Sequence, residues 1–209
     1  MIRVLIADSY PIVRSGLKQV LSQSNEIKVI GETASHAETL RKVQTTDCQL
    51  LVLSVDLLQG MLGFLSNLKR LRPRMRVLLV GLKTNIELGV RSLKAGASGY
   101  INIQSTVDEF VKAVRSVAYG QKYVCSEIVD SLTNNLADKD ETPHRQLSDR
   151  EFDVLRLLGA GKRLTDVATI LGLGKSTVAT YRKRILEKLH LQNSAEIMRY
   201  AIEHRVVFQ

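Results

Sequence analysis

Residues 162–189 read K-R-L-T-D-V-A-T-I-L-G-L-G-K-S-T-V-A-T-Y-R-K-R-I-L-E-K-L. Apolar residues in the first ten recur at helical spacing, with Leu164, Val167, Ala168 and Leu171 on one side. Gly172-Leu173-Gly174 then supplies a tight turn. Ser176-Thr177-Val178 open a second, longer helix that runs to about Leu189. A short helix, a glycine-containing turn and a longer basic helix make a helix-turn-helix pattern.

The longer helix can be read by angle, at about 100° per residue. Val178, Tyr181, Ile185 and Leu189 fall in one stripe and are expected to face a core. Ser176, Thr180, Lys183, Arg184 and Glu187 centre on the opposite side, with Ala179 on its flank. Small groups near the amino end permit close approach to a surface. The basic groups behind them donate to base edges and phosphates, as a helix in the major groove of DNA must. The amino end of the helix can itself hold a phosphate. Taken alone, Tyr181-Arg182-Lys183-Arg184 reads as a solvated charged face; after helix and turn at this spacing it reads as a DNA surface.

Outward from that stretch, Ser148 and Glu151 form a capping-box pair. The helix they open carries Phe152, Val154, Leu155, Leu157 and Leu158, and Gly159-Ala160-Gly161 ends it. Asn193 caps a last helix through Ile197, Tyr200, Ala201 and Ile202. Residues 147–209 are thus expected to form an all-α four-helix domain. Before it, Thr133 to Gln146 is poor in apolar residues, crowded with charge, and holds Pro143, one of three prolines in the chain. This sets residues 122–146 as a linker with a short helix, and residues 1–121 as a separate domain.

In residues 1–121, short β-rich runs alternate with helical patterns. Arg3 to Ala7, Lys28 to Glu32, Leu50 to Leu53, Val77 to Val80 and Gly99 to Ile101 are the five expected strands. Near-continuous apolar runs suit strands buried on both faces of a parallel sheet. Helices are expected at about 11–23, 35–45, 60–72, 84–96 and 106–119; in the first, Ile12, Val13, Leu17, Val20 and Leu21 are placed together. Strand–helix alternation gives an α/β, flavodoxin-like (βα)5 domain with right-handed crossovers. Ligands in such a sheet sit at the carboxyl ends of its strands. Here those ends are Asp8-Ser9, Ser54-Val55-Asp56, Gly81-Leu82 and Asn102-Ile103.

Composition narrows the function. Of the 209 residues 44% are apolar and 24% charged, as in ordinary globular proteins. No apolar run reaches the ~18 residues of a membrane helix, and Asp8 arrives too early for a signal peptide. Cys48 and Cys125 offer no C-x-x-C, so a reducing cytoplasm is the expected home, with no membrane role. His36, His144, His190 and His204 have no metal spacing. With no glycine-rich loop after the first strand and no Ser/His/Asp set, nothing points to an enzyme. The net charge of +9 favours polyanionic partners. It is spread over the chain: residues 1–121 carry 16 basic and 9 acidic side chains, and residues 147–209 carry 11 and 7.

The opening I-R-V-L-I-A-D-S-Y-P-I-V-R-S-G-L and the later G-A-S-G-Y-I resemble a two-component receiver domain. Residues 147–202, from L-S-D-R-E-F-D-V-L-R-L-L-G-A-G-K to S-A-E-I-M-R-Y-A-I, resemble the LuxR-type output domain of the NarL/FixJ class of response regulators. That resemblance implies base contacts at Ala179, Thr180 and Lys183. It implies backbone contacts at Lys175, Ser176, Thr177, Arg182 and Arg184. It also implies a homodimer on inverted half-sites, paired through the last helix.

Receivers of this family accept phosphate on an aspartate at the end of the third strand, beside a magnesium ion held by two acids after the first. A Thr or Ser after the fourth strand and a Lys after the fifth contact the phosphate. In this sequence Asp8 is kept, but the second acid is Ser9. The acceptor position falls on Ser54, or on Val55 after a shift; the hydroxyl position falls on Gly81 and the lysine position on Ile103. Leu62 stands at an acidic loop position. One strand-end carboxylate is a weak magnesium cage, and an aliphatic at 103 removes the cation that phosphoryl transfer needs. The expectation is a degenerate receiver with its magnesium site lost, no cofactor, and control through dimerisation or a regulatory protein docked on the receiver. One rival takes Asp56 as the phospho-acceptor after a register shift. Another takes the receiver as a protein-interaction module with secondary DNA affinity.

Overall fold

The computed structural model describes residues 1–58, 62–81, 86–126, 128–129, 143–204 and 206–207. They fall into two compact units. The first is an open parallel sheet, β1 (Ile2–Ala7), β2 (Ile27–Thr33), β3 (Leu50–Ser54), β4 (Arg76–Gly81), β5 (Gly99–Asn102) and β6 (Tyr123–Val124). The strand order is β2-β1-β3-β4-β5-β6, every pair parallel. All five residues of β3 are buried, as a strand covered on both faces requires. The order reverses between β1 and β3, which places the topological switch point at the ends of those two strands.

Among the described residues, the helices that accompany this sheet include α1 (Pro11–Ser22), α2 (His36–Thr45), α3 (Val55–Leu58), α4 (Leu62–Leu71), α5 (Ile86–Lys94) and α6 (Val107–Ala118). On one face, Val4, Ile6, Val52, Val80 and Ile101 pack with Leu17 and Leu21 of α1 and with Phe110, Val114 and Val117 of α6. The opposite face offers Leu5, Leu51, Leu53, Leu79 and Tyr100, all fully buried. Helix starts follow local chemistry. The Ser35 hydroxyl accepts from the Glu38 amide, and Thr106 and Glu109 cap each other's backbone.

Three details depart from the sequence reading. The expected five strands become six, because Tyr123–Val124 adds a two-residue edge beside β5. A single turn not expected from the sequence, α3, follows β3 directly, while the helix expected at about 60–72 is present as α4. Ile12 is 83% exposed: at about 100° per residue it lies roughly 80–140° from Val13, Leu17 and Val20, which hold the packed side. Of the linker expected over 122–146, residues 127 and 130–142 lie outside the described residues, and its last four, Pro143–Gln146, form a 3-10 turn.

The second unit holds that turn and four helices, α7 (Asp149–Gly159), α8 (Leu164–Leu171), α9 (Lys175–Leu189) and α10 (Ser194–Glu203). The turn is pinned by His144, whose backbone N–H donates to the Tyr200 hydroxyl at 3.2 Å and whose Nδ1 lies 2.9 Å from it. The capping box of α7 is formed: the Glu151 amide donates to Ser148 Oγ, and the Ser148 amide donates to Glu151 Oε2 at 2.8 Å. Leu164, expected inward, stays exposed at the first position of α8, while Val167, Ala168 and Leu171 are buried.

Lys188 Nζ lies 2.7 Å from Glu151 Oε2 and locks α9 to the start of α7. Burial works against the Glu151 carboxylate, but hydrogen bonds from Lys188 and Ser148 outweigh it and hold its pKa below the ordinary value. The folded pKa is therefore the lower one, and ionised Glu151 stabilises the fold at pH values above the unfolded carboxylate pKa of ~4.3. That contribution is lost as pH falls through the folded value. Glu151→Gln is expected to destabilise the second unit by about 1.5–3 kcal/mol at neutral pH, and by less as the pH drops below ~4. Urea unfolding followed by amide exchange in residues 149–203 checks this.

Candidate functional site

Two regions carry the residues that the sequence singles out. The first is α9. Gly172 ends α8 with φ of 63°, in the left-handed region that a Cβ disfavours, and so turns the chain sharply into α9. Val178, Ile185 and Leu189 are buried, at 0%, 0% and 6% exposure. This stripe packs towards α7 and α8 and fixes the roll of the helix. Tyr181, read as a core residue, is half-buried.

The other side of α9 is open. Lys175, Ser176, Thr177, Ala179, Thr180, Lys183 and Arg184 are all exposed. The Thr180 hydroxyl donates to the Ser176 carbonyl at 3.0 Å, which leaves its lone pairs outward. Lys183 Nζ stands 3.8 Å from Glu187 on the exposed face, a pair too solvated to hold the lysine in place. Arg182 differs from the rest: it is half-buried, and its Nε donates to Ser194 Oγ at 2.8 Å. It therefore ties α9 to the start of α10, a role that helical angle alone only hinted at.

The second region is the carboxyl end of the sheet. Asp8 is 4% exposed, and its Oδ1 accepts the Tyr10 amide at 2.7 Å. The Arg14 guanidinium of α1 donates to the Asp8 backbone carbonyl at 2.8 Å and pairs with Glu32 at 3.6 Å, so a cation with its own acid partner stands at this strand end. Ser9 points to solvent. Ser54 is the last residue of β3, buried, and its Oγ accepts the Asp56 amide at 3.3 Å. Asp56 is not on the strand; it is half-buried in the first turn of α3. Gly81 ends β4 and is buried, while Ile103 packs against the core of α1 and α6.

One neighbour was not anticipated. A Cβ added at Gly81 would lie 2.5 Å from the hydroxyl of Tyr100, which is fully buried. The tyrosine fills the space that a side chain at the end of β4 would use. Its signal in the sequence was the single aromatic in Gly99-Tyr100-Ile101, read there only as a strand residue.

Comparison with known proteins follows this division. Residues 4–115 match the model of the response regulator receiver domain, and residues 145–201 match that of bacterial regulatory proteins of the luxR family. The chain belongs to the response regulators with a luxR-type DNA-binding domain. As such it is a transcription regulator. It is 33% identical to the transcriptional regulatory protein MctR of Rhizobium johnstonii, over 99% of this chain and 95% of that one. It is 30% identical to the response regulator GacA of Pseudomonas protegens, over 99% and 98%. The response regulator RcsB of Salmonella typhimurium has the same fold, with a TM-score of 0.78 at 22% identity over 97% of this chain and 98% of that one. The flavodoxin-like sheet and the helical C-terminal domain expected from the sequence are both present.

Two outcomes follow from this geometry. Gly81→Ala should cost about 1–3 kcal/mol through overpacking against Tyr100. Tyr100→Phe should recover part of that loss, giving a non-additive double-mutant cycle in urea unfolding. On α9, Lys183→Ala is expected to cost about 1–3 kcal/mol of DNA binding and to relax base preference. Arg184→Ala should weaken all sequences alike and lower the salt slope by about 0.9. Binding titrations against selected and scrambled duplexes at several salt concentrations separate the two.

Proposed function

We propose that this regulator binds DNA sequence-specifically, through Ala179, Thr180 and Lys183 at base edges, without needing an aspartyl phosphate for control. Lys175, Ser176, Thr177, Arg182 and Arg184 serve the DNA backbone in this reading. The protein acts in the cytoplasm, as a homodimer on inverted half-sites spaced by about one helical turn, ~10 bp. RcsB has been seen as two dimers bound to two parallel DNAs, which supports the dimer. The relatives are regulators rather than enzymes, and this chain is read as a regulator without catalytic activity.

The observation that carries the independence from phosphate is the packing at Gly81 and Ile103. Phosphoryl transfer depends on cationic neutralisation and a positioned hydroxyl. The hydroxyl position is a glycine closed off by Tyr100, and the cation position is an aliphatic packed into the core. Magnesium does not fit the donors either. It takes six oxygens in an octahedron, usually including one or two carboxylates. Here the strand-end donors are one buried carboxylate that already accepts an amide, and the hydroxyls of Ser9 and Ser54. The Arg14 guanidinium lies beside them. Asp56, the rival acceptor, extends from a helical turn rather than from the strand end. A protein partner docked on the receiver, or dimerisation itself, then supplies control.

Incubation of the purified chain with magnesium and either acetyl phosphate or beryllofluoride tests the reading. Intact mass, dimer fraction and DNA affinity should all stay unchanged, in the wild type and in Asp56→Asn alike. A mass gain or a dimer shift that Asp56→Asn abolishes would establish the conventional phospho-switch instead.

A further inference from the structure

Residues 69–76 read K-R-L-R-P-R-M-R, five cations in eight positions with no acid. They run from the end of α4 into the start of β4. A favourable interaction with the carboxyl end of α4 accounts for Lys69 and Arg70, but not for Arg74 and Arg76 beyond it. The fold adds a sixth cation from a distant part of the chain. Lys69 Nζ donates to the Met75 carbonyl and Lys122 Nζ to the Ala97 carbonyl, each at 2.9 Å, so both ammoniums are held at the amino ends of β4 and β5.

These charges are close enough to act on one another. Burial lowers the pKa of the Lys69 ammonium, and repulsion from Arg76 and Lys122 lowers it further. Asp47 is the acid nearby, and it is engaged by Arg3 at 2.6 Å and by Arg72 at 3.5 Å. Among the described residues no acidic side chain pairs with Lys69, Arg70, Arg74, Arg76 or Lys122. Next to the cluster, an open recess of about 480 Å³ is lined by three arginines, Arg3, Arg72 and Arg74, and one acid, Asp47. A short K/R-rich stretch in which, among the described residues, Arg72 alone is paired with an acid is the footprint of polyanion binding.

We propose that this basic face of the receiver, at the amino ends of its strands and away from the degenerate pocket, is a second nucleic-acid site that binds the DNA phosphate backbone without reading sequence. Two observations favour DNA over an acidic protein. The stretch exposes one large apolar residue, Leu71, and contains no aromatic, whereas protein interfaces centre on buried aromatics. The luxR-type domain on the same chain also brings DNA to the receiver at high effective concentration.

Arg70 and Arg74 are exposed and make no hydrogen bond or ion pair within the described residues, so they can be neutralised without disturbing the fold. The test measures full-length protein binding to a random-sequence duplex by fluorescence anisotropy, from low to moderate salt. Arg70→Gln/Arg74→Gln is compared with Arg41→Gln/Lys112→Gln, a pair of exposed cations elsewhere on the receiver with the same charge change. The patch pair should flatten the slope of log affinity against log salt by nearly two, at about 0.9 per lost contact. The control pair should leave it within error of the wild type. Equal effects from both pairs, or none from the patch pair, would overturn the proposal; in the second case the face is free for an acidic protein. Lys183→Ala measured alongside shows independently whether α9 binds DNA.

Discussion

Burial of Val178, Ile185 and Leu189 is the constraint on which the DNA-reading surface depends. A helix can present many faces; one apolar stripe seated in a close-packed core permits only one roll angle. With that angle fixed, Ala179, Thr180, Lys183 and Arg184 face outward together without any interaction among themselves to arrange them. The lock is completed at both ends. Gly172 sets the direction in which α9 leaves the turn, and Lys188 grips the capping glutamate of α7. Arg182 also ties α9 to the start of α10, through its Nε on Ser194 Oγ.

The receiver shows the opposite relation between scaffold and site. Its stability resides in strands such as Leu50–Ser54, apolar and covered on both sides, and none of that packing uses the polar groups at the strand ends. The strand ends could therefore change while the sheet stayed intact, which is how one fold comes to host different functions. The strand ends are not empty space. Tyr100 fills the room beside Gly81, Ile103 joins the core, and Arg14 places a cation at Asp8.

The charge is divided in the same spirit. The receiver unit holds more excess positive charge than the DNA-reading unit, and its densest part lies at the amino ends of the strands. Charge on a surface acts at a distance set by salt, so such a face matters for attraction to a polyanion even where it reads nothing.

Locally encoded features were legible in the sequence. The Ser148–Glu151 box, the buried stripe of α9 and five of the six strands depend on neighbours a few residues apart, and the structure contains them all. Features that arise between distant segments were not legible. The two-residue strand at Tyr123–Val124 exists because β5 offers it an edge, Leu164 stays outside because no helix covers that turn, and Tyr100 meets Gly81 only across paired strands. The sequence alone determined the helix-turn-helix pattern and which face of α9 is exposed, because periodicity and capping are short-range. Only the tertiary structure decided what fills the strand-end pocket and which cations stand together, because those depend on side chains brought close by folding from far apart in the chain.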